Sequence, residues 1–318
     1  MANSTHISLD LIHAAHEEYL RHLPPTCCFS YPMLNKHTGR TMVLKHENTQ
    51  PTGAFKIRGG IALFALRGPN QLGDGVISAS TGNHAQSIAY AAQMHNTDCT
   101  IVVPESTPTE RIEGIELLGS KVIAHGADMA ESIAYAKQTA LRESLSFIAP
   151  TEPEIIAGHA GVYLELFAEH PDCDAVYIPI GSGSGAAGAC LVRDGLGLST
   201  AVIGVQSALA PAAHISWRTG EMSTAPSRTR ALGLATTSSC PRTQAIMRAG
   251  LHDFVLVDDH AIDQARALLA TCAHTLAEGA GAAALAGAYE LGVGEKVGIV
   301  ISGGNATAQE LATLPQWG

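Results

Sequence analysis

Positive charge is scarce in this chain: 19 lysines and arginines face 29 aspartates and glutamates, a formal net charge of −10 at pH 7. An acidic surface repels phosphate backbones and anionic headgroups, so neither a nucleic acid nor a membrane is expected as partner. The lysines and arginines are scattered, and no basic patch hides inside the acidic total. Long apolar runs are missing as well. Charges, glycines or prolines break every window before the roughly 18 apolar residues of a membrane span, and residues 1–23 carry His, Asp, Glu and Arg where a signal peptide has an apolar centre. A cytoplasmic protein is expected. Cysteine-pair signals are also absent: Cys27, Cys28, Cys99, Cys173, Cys190, Cys240 and Cys272 form no Cys-x-x-Cys, and an odd count in a long chain is no disulfide framework. Fifteen histidines include no His-Glu-x-x-His or His-x-x-x-His spacing, so no helical metal motif is present.

What is present is core-forming material. Of 318 residues 46% are hydrophobic and only 15% charged, enough for one large or two ordinary domains without staples. A first helix is expected from Ile7 through Leu20, with Ser8 as a cap and Pro24-Pro25 as a stop. Cys28-Phe29 and Met42-Val43-Leu44 then flank a turn over residues 35–40. From Ile57 the pattern alternates. Helices are expected at 57–66, 85–94, 108–118 and 128–143, and extended runs at 75–79, 99–103, 121–124 and 146–148. A second series gives helices at 159–170, 185–194, 211–217, 243–250, 259–278 and 280–291, with extended runs at 175–179, 202–206, 253–257 and 296–301. Short β-branched strands alternating with helices mean parallel βα units buried on both faces. Composition itself marks a seam only at Pro150 to Pro153.

Several stretches carry chemistry. In Lys45-His46-Glu47-Asn48-Thr49-Gln50-Pro51-Thr52-Gly53-Ala54-Phe55-Lys56-Ile57-Arg58-Gly59-Gly60 the chain turns at Pro51 and Gly53 and enters a helix in which Lys56 comes early. A lysine amine attacks carbonyls only when neutral, and desolvation or nearby cations favour that form. Lys45, Arg58 and the helix's positive end are expected to push Lys56 that way; an ordinary exposed lysine is the alternative. Ser80-Thr81-Gly82-Asn83-His84-Ala85-Gln86 lies between a strand and a helix, where free amides can hold a carboxylate, or where Ser and Thr merely cap. Gly181-Ser182-Gly183-Ser184-Gly185 follows a strand and opens a helix, a phosphate cradle by construction. Gly183, Gly185 and Gly188 also satisfy Gly-x-Gly-x-x-Gly, but a dinucleotide site wants an acidic residue at the end of the next strand, where Gln206 stands. Ser302-Gly303-Gly304-Asn305 closes the last strand, as a site or a plain turn. Glu278, before Gly279-Ala280-Gly281-Ala282, is a proton-relaying group or a helix-end carboxylate.

These stretches resemble the fold type II pyridoxal-phosphate enzymes, and within them the threonine/serine dehydratase branch that also holds serine racemase. Glu47 to Gly59 match that family's Glu-Asn-x-Gln-x-Thr-Gly-(Ser/Ala)-Phe-Lys-x-Arg-Gly, Ser80 to Gln86 its Ser-x-Gly-Asn-His-(Ala/Gly)-Gln, and Gly181 to Gly185 its glycine loop with Ser182 and Ser184 in place of glycines. The resemblance implies an α/β fold of the tryptophan synthase β kind, with two open, twisted, mostly parallel sheets flanked by helices. It places residues 1–47 and 148–318 in a large cofactor-binding domain and 48–147 in a small one. It implies that Lys56 binds pyridoxal 5′-phosphate covalently with Phe55 beside the ring, and that Asn83 meets the phenolic oxygen. Ser80, Thr81, Gly82, Asn83 and His84 line the carboxylate site, Gly181 to Gly185 hold the phosphate, Ser302 faces the ring nitrogen and Glu278 lies near the cofactor. A hydroxyl at that nitrogen leaves the ring largely unprotonated, which suits elimination over transamination.

The implied function is an ammonia-lyase of amino-acid catabolism, a homodimer, that converts a β-hydroxy amino acid such as L-threonine or L-serine to a 2-oxo acid and ammonia, with Lys56, Ser80 and Thr81 as catalytic residues. The alternatives are a racemase, since Thr81 stands where serine racemase has Ser; a dehydratase for phenylserine, hydroxyaspartate or a hydroxyectoine-derived substrate; or an inactive cofactor-binding protein. β-Replacement fits worse. Departures from the pattern are Leu232 in Thr229 to Ala235, where many members have a cation-ligating Asp, so no metal is expected, and His159 in Ala157 to Gly161, where the family has Gln. No C-terminal regulatory domain, and hence no control by isoleucine, is expected.

Overall fold

The computed structural model describes residues 7–68, 71–312 and 314–315. In chain order the elements are α1 (Leu9–Leu20), β1 (Cys28–Ser30), α2 (Pro32–Thr38), β2 (Thr41–His46), α3 (Lys56–Arg67), β3 (Val76–Ala79), α4 (Asn83–Met94), β4 (Cys99–Val103), α5 (Thr109–Glu116), β5 (Lys121–Ala124), α6 (Met129–Arg142) and β6 (Ser146–Phe147). There follow α7 (Pro153–Glu169), β7 (Ala175–Pro179), α8 (Ser184–Gly195), β8 (Ala201–Ser207), α9 (Ala212–Thr219), α10 (Pro241–Gly250), β9 (Asp253–Val257), α11 (Asp259–Cys272), α12 (Gly279–Leu291), β10 (Lys296–Ile301) and α13 (Ala308–Ala312).

The chain divides into two compact units. The smaller comprises Asp10–Pro24 and Lys56–Gly158, the larger Ile7–Leu9, Pro25–Phe55 and the chain from His159 onward. The expected small domain, 48–147, overlaps the first of these, and most of α1 groups with it. The smaller unit holds a four-stranded sheet of order β5-β4-β3-β6, all of whose pairs are parallel. Its core joins Leu63 and Phe64 of α3, Ile88, Ala89 and Ala92 of α4, and Val76, Ile101 and Val103 of the sheet. The larger unit holds a six-stranded sheet of order β1-β2-β10-β7-β8-β9, parallel except for the antiparallel pairing of β1 with β2. The mostly parallel α/β architecture is therefore as expected. Helix α12 is buried along nearly its whole length because it is made of Gly and Ala; a methyl at Gly287 would stand 2.5 Å from Val205, so the helix lies tight against the sheet.

Local differences from the expected elements have local causes. The expected turn at residues 35–40 is mostly α2: Pro32 supplies a preset first-turn φ, and Gly39 at φ +69° ends the helix. Helix α7 starts at Pro153, six positions ahead of the expected 159, because proline is tolerated in a first turn. Helix α11 ends at Cys272 and not at 278. His274 turns left-handed at φ +52°, and Glu278 becomes the residue that precedes α12. The first helix begins at Leu9 and not at Ile7, with Ser8, the expected cap, as the residue just before it.

One polar cluster is buried inside the larger unit. Lys45 Nζ donates to Glu165 Oε2 and to Thr26 O, each at 2.6 Å, and Thr26 Oγ1 donates at 2.6 Å to Glu47 Oε1, whose other oxygen accepts from Gln50 Nε2 at 3.1 Å. Lys45 is 0% and Glu165 5% exposed in their side chains. Replacing Glu165 by Gln leaves the lysine charge buried and uncompensated, and should lower stability by about 3–5 kcal/mol. The pair Lys45→Met with Glu165→Leu, which removes both charges, should recover most of that loss in chemical unfolding.

Candidate active site

In the smaller unit the sheet winds away from β3 in two directions, with β4 and β5 on one side and β6 on the other. The crevice outside the strand ends at such a reversal is where open α/β sheets bind ligands. From β3 the chain passes through Ser80, Thr81 and Gly82 into α4, whose first residue is Asn83. The loop is held by Ser80 N–H on Val102 O at 3.3 Å, by Gly82 N–H on Ser80 Oγ at 3.3 Å and by Arg111 Nη1 on Thr81 O at 3.3 Å. Gly82 offers no side-chain cap to α4, and a helix N-terminus is a setting that suits an anion.

His84 is buried, with Nε2 3.1 Å from Ser78 Oγ, and that hydroxyl donates to Ile148 O at 2.7 Å. Because the serine proton goes to the carbonyl, the network assigns the imidazole proton to Nε2. Burial, and then the charge of Lys56, push His84 down to about 3, so it is neutral at physiological pH. This coupling puts Lys56 and His84 within electrostatic reach of each other inside one unit. The backbone agrees: Ser87 Oγ donates to Lys56 O at 2.5 Å and accepts Gly60 N–H at 3.2 Å, and a methyl at Gly60 would stand 2.4 Å from Ser87 O. Helix α3, which Lys56 opens, thus lies close along α4.

Lys56 retains part of its surface, yet burial lowers its amine to about 8. The expected cause was neighbouring cations, and this is corrected. Desolvation does it, while Lys45 is spent on Glu165 and the Arg58 guanidinium lies 4.1 Å over the Tyr19 ring.

In the larger unit the winding reverses between β10 and β7, and the loops leaving β2, β10 and β7 emerge side by side. Phe55 N–H donates to Ser302 O at 3.0 Å, Gly304 N–H to Gly53 O at 2.8 Å, Asn305 Nδ2 to Thr52 O at 2.8 Å, and Glu278 N–H to Gly303 O at 3.1 Å. Gly53, at φ +67°, has no room for a side chain, since a methyl there would meet Asn305 Oδ1 at 2.2 Å. The Lys56 motif and the Ser302 tetrapeptide are thus sewn together through Phe55, the residue next to the lysine. Ser302 is buried, and Glu278 is half-buried.

Gly181 to Gly185 form a turn that runs into α8, whose first two residues are Ser184 and Gly185. Gly183 is left-handed at φ +85°, and a methyl at Gly181 would stand 2.3 Å from Gly233 O. Thr243 Oγ1 donates to Ser182 O at 2.8 Å and Thr236 Oγ1 to Gly181 O at 3.3 Å. The Phe55 ring covers the start of α8: a methyl at Gly185 would lie 3.5 Å from Phe55 Cε2 and 3.4 Å from Tyr163 Oη. Thr243 and Tyr163 were not among the expected residues, and their only sequence signal was a place on helices of no stated role. The dinucleotide alternative gains nothing, because Gln206 is buried with its Oε1 accepting the His214 N–H at 3.0 Å.

As for cations, Leu232 is 53% exposed in a short 3-10 turn and brings no oxygen ligand to that position. Among the described residues, Cys28, Glu169 and His170 have donor atoms within 4.8 Å of one another. They belong to the outer strand β1 and the end of α7, and burial pushes the Cys28 thiol up to about 12, which favours the protonated form.

A family model described as pyridoxal-phosphate dependent enzyme matches residues 19–303. The L-threonine ammonia-lyase of Geobacter sulfurreducens is 33% identical over 285 residues, 88% of this chain and 71% of that protein. The L-threo-3-hydroxyaspartate ammonia-lyase of Saccharomyces cerevisiae is 31% identical over 287 residues, 89% of this chain and 88% of that protein. Among solved structures, a threonine deaminase from T.th. has a TM-score of 0.89 at 31% identity, covering 94% of this chain and 99% of that one.

Two outcomes check the site geometry. In chain stripped of any bound aldehyde, acylation of Lys56 followed by mass spectrometry should show an inflection near pH 8, where an ordinary lysine is less than about 1% neutral. Gly183→Ala, which strains a left-handed residue and brings its methyl to 2.9 Å from Met247 Cε, should weaken binding of inorganic phosphate in calorimetry by about tenfold or more.

Proposed function

Because the chain belongs to the pyridoxal-phosphate dependent enzyme family, we propose that it is an ammonia-lyase that converts a β-hydroxy amino acid to a 2-oxo acid and ammonia by α,β-elimination. The observation that carries this reading is the pairing, inside one unit, of a desolvated lysine amine with an uncapped helix N-terminus fit for a substrate carboxylate. The residues present fit the cofactor. A neutral amine suits its aldehyde, and the cradle at Gly181 and Gly183, too tight for any side chain, suits its phosphate. Ser302, buried and hydroxyl-bearing, suits its ring nitrogen.

When bound, the cofactor supplies an electron sink for the pair left at Cα when its proton departs. The protein's own groups do the rest. Lys56 takes that proton, which needs a neutral amine and hence the lowered pKa. The first amides of α4, with Ser80 and Thr81, bind the carboxylate, and His84, kept neutral, takes no part in the proton transfer at Cα. Phe55 would shield the ring's surroundings from water, and Asn83 and Glu278 would orient the ring; the β-hydroxyl leaves as water with the proton that Lys56 took from Cα, and the enamine product takes up one water to give the 2-oxo acid and ammonia. The substrate is a small amino acid, with L-threonine, L-serine and threo-3-hydroxyaspartate the first candidates, the last from the name of the yeast relative.

We place the enzyme in the cytoplasm, which the seven free cysteines support; no described helix is long and apolar enough to cross a membrane. Homodimer formation is supported by Phe29, Met33 and Tyr289, each a little over half exposed in the larger unit.

The test is to incubate the cofactor-loaded protein with L-threonine, L-serine, L-threo-3-hydroxyaspartate and L-threo-phenylserine while following ammonia, 2-oxo acid and the chirality of what remains. Equal amounts of ammonia and 2-oxo acid from at least one substrate are expected, with kcat falling about 100- to 10,000-fold in Lys56→Ala. Inversion at Cα without 2-oxo acid would make it a racemase through Thr81, and loaded protein inert toward all four would make it a binding protein.

A further inference from the structure

Helices α7 and α8 touch backbone to backbone in the larger unit, since a methyl at Gly188 would stand 2.9 Å from Ala160 Cα. Gly188 and Ser184 share one face of α8, one turn apart. The close approach at Gly188 therefore lets His159, next to Ala160 on α7, reach the cradle: its Nδ1 lies 3.0 Å from Ser184 Oγ. The imidazole is fully buried, and its ring centroid is 4.6 Å from that of Phe55 at an interplanar angle of 52°. Ser184 is 1% exposed. One buried ring thus touches both the serine of the glycine loop and the aromatic residue that precedes Lys56.

The direction of that hydrogen bond decides what the loop can hold. A serine hydroxyl has one proton. If it gives the proton to the imidazole, Ser184 turns lone pairs outward and repels an anion. If His159 Nδ1–H donates instead, the hydroxyl proton is released to an anionic oxygen, and the first amides of α8 add to it. The His159 ring, unlike an open-chain amide, is fixed by packing on Phe55.

We propose that His159 is a positioning residue for the phosphate site: by donating from Nδ1 to Ser184 it turns the serine hydroxyl into an anion donor and fixes Phe55 over the loop. This rests on the cofactor reading above, and it assigns the His159–Ser184 pair to a phosphate monoester rather than to the amino-acid substrate.

The test uses the full-length chain freed of cofactor and measures dissociation constants for inorganic phosphate, pyridoxal 5′-phosphate and unphosphorylated pyridoxal. His159→Leu and Ser184→Ala should each weaken the two phosphate-bearing ligands by about tenfold or more and leave pyridoxal within about threefold. The double variant should be no worse than either single change, as expected for two residues acting through one bond. His159→Asn, whose amide N–H falls near the Nδ1 position, should retain phosphate affinity; His159→Gln, whose amide falls near Nε2, should lose it. Should the leucine variant not fold, the Asn/Gln contrast decides. Equal phosphate affinity in wild type, Leu and Gln variants overturns the proposal, as does a loss that is the same for pyridoxal and its phosphate. Wild-type protein that binds neither phosphate nor pyridoxal 5′-phosphate overturns the cofactor reading together with it.

Discussion

A lysine charge buried at the end of β2 is the constraint on which the larger unit's loops depend. Taking an ammonium out of water costs several kcal/mol unless it is paired and hydrogen-bonded. Lys45 meets that cost with Glu165 from α7 and the carbonyl of Thr26, and Thr26 in turn holds Glu47. The chain therefore leaves β2 in one fixed direction. It turns at Gly53, where only glycine fits against Asn305, and reaches Phe55 tied to Ser302. Every one of these contacts is within the larger unit, and the next residue along the chain is Lys56.

The two lysines of this motif show how environment divides one side-chain type into two chemistries. Lys45, with a carboxylate oxygen at 2.6 Å, keeps its charge as structure. Lys56 is shifted to about 8 by burial, so far more of its amine is neutral near physiological pH than in an ordinary lysine. His84 is shifted in the same direction, since burial and the neighbouring lysine hold it neutral. The glycine loop has a third role. It carries no titratable group between Gly181 and Gly185, and it offers an anion only amides and hydroxyls.

Much of this was legible in the sequence, because the signals are local. Strands and helices alternate with short β-branched runs, and the lysine, Ser80 to Gln86 and Gly181 to Gly185 stretches each lead into a helix N-terminus. What was not legible is long-range. The Lys45–Glu165 pair spans 120 positions, so sequence offered Lys45 as a free cation acting on Lys56 when its charge is in fact committed elsewhere. Thr243 supports Ser182 from 61 positions away. His159 looked only like a departure from a motif, since its partner Ser184 is reached through the packing of Gly188 on Ala160. The helix over Pro32–Thr38 was hidden for a different reason: it is short and buries only Leu34, so its Pro start and Gly stop spoke louder as a turn than its periodicity did as a helix.

We propose that the amine of Lys56, its neutral form favoured by desolvation, is the group that carries the cofactor's aldehyde. Borohydride reduction of the cofactor-loaded protein, followed by proteolysis and mass spectrometry, tests this most directly. The account predicts a single phosphopyridoxyl group on the peptide containing Lys56. Recovery of that group on any other lysine, or of unmodified Lys56 from fully loaded protein, would contradict it.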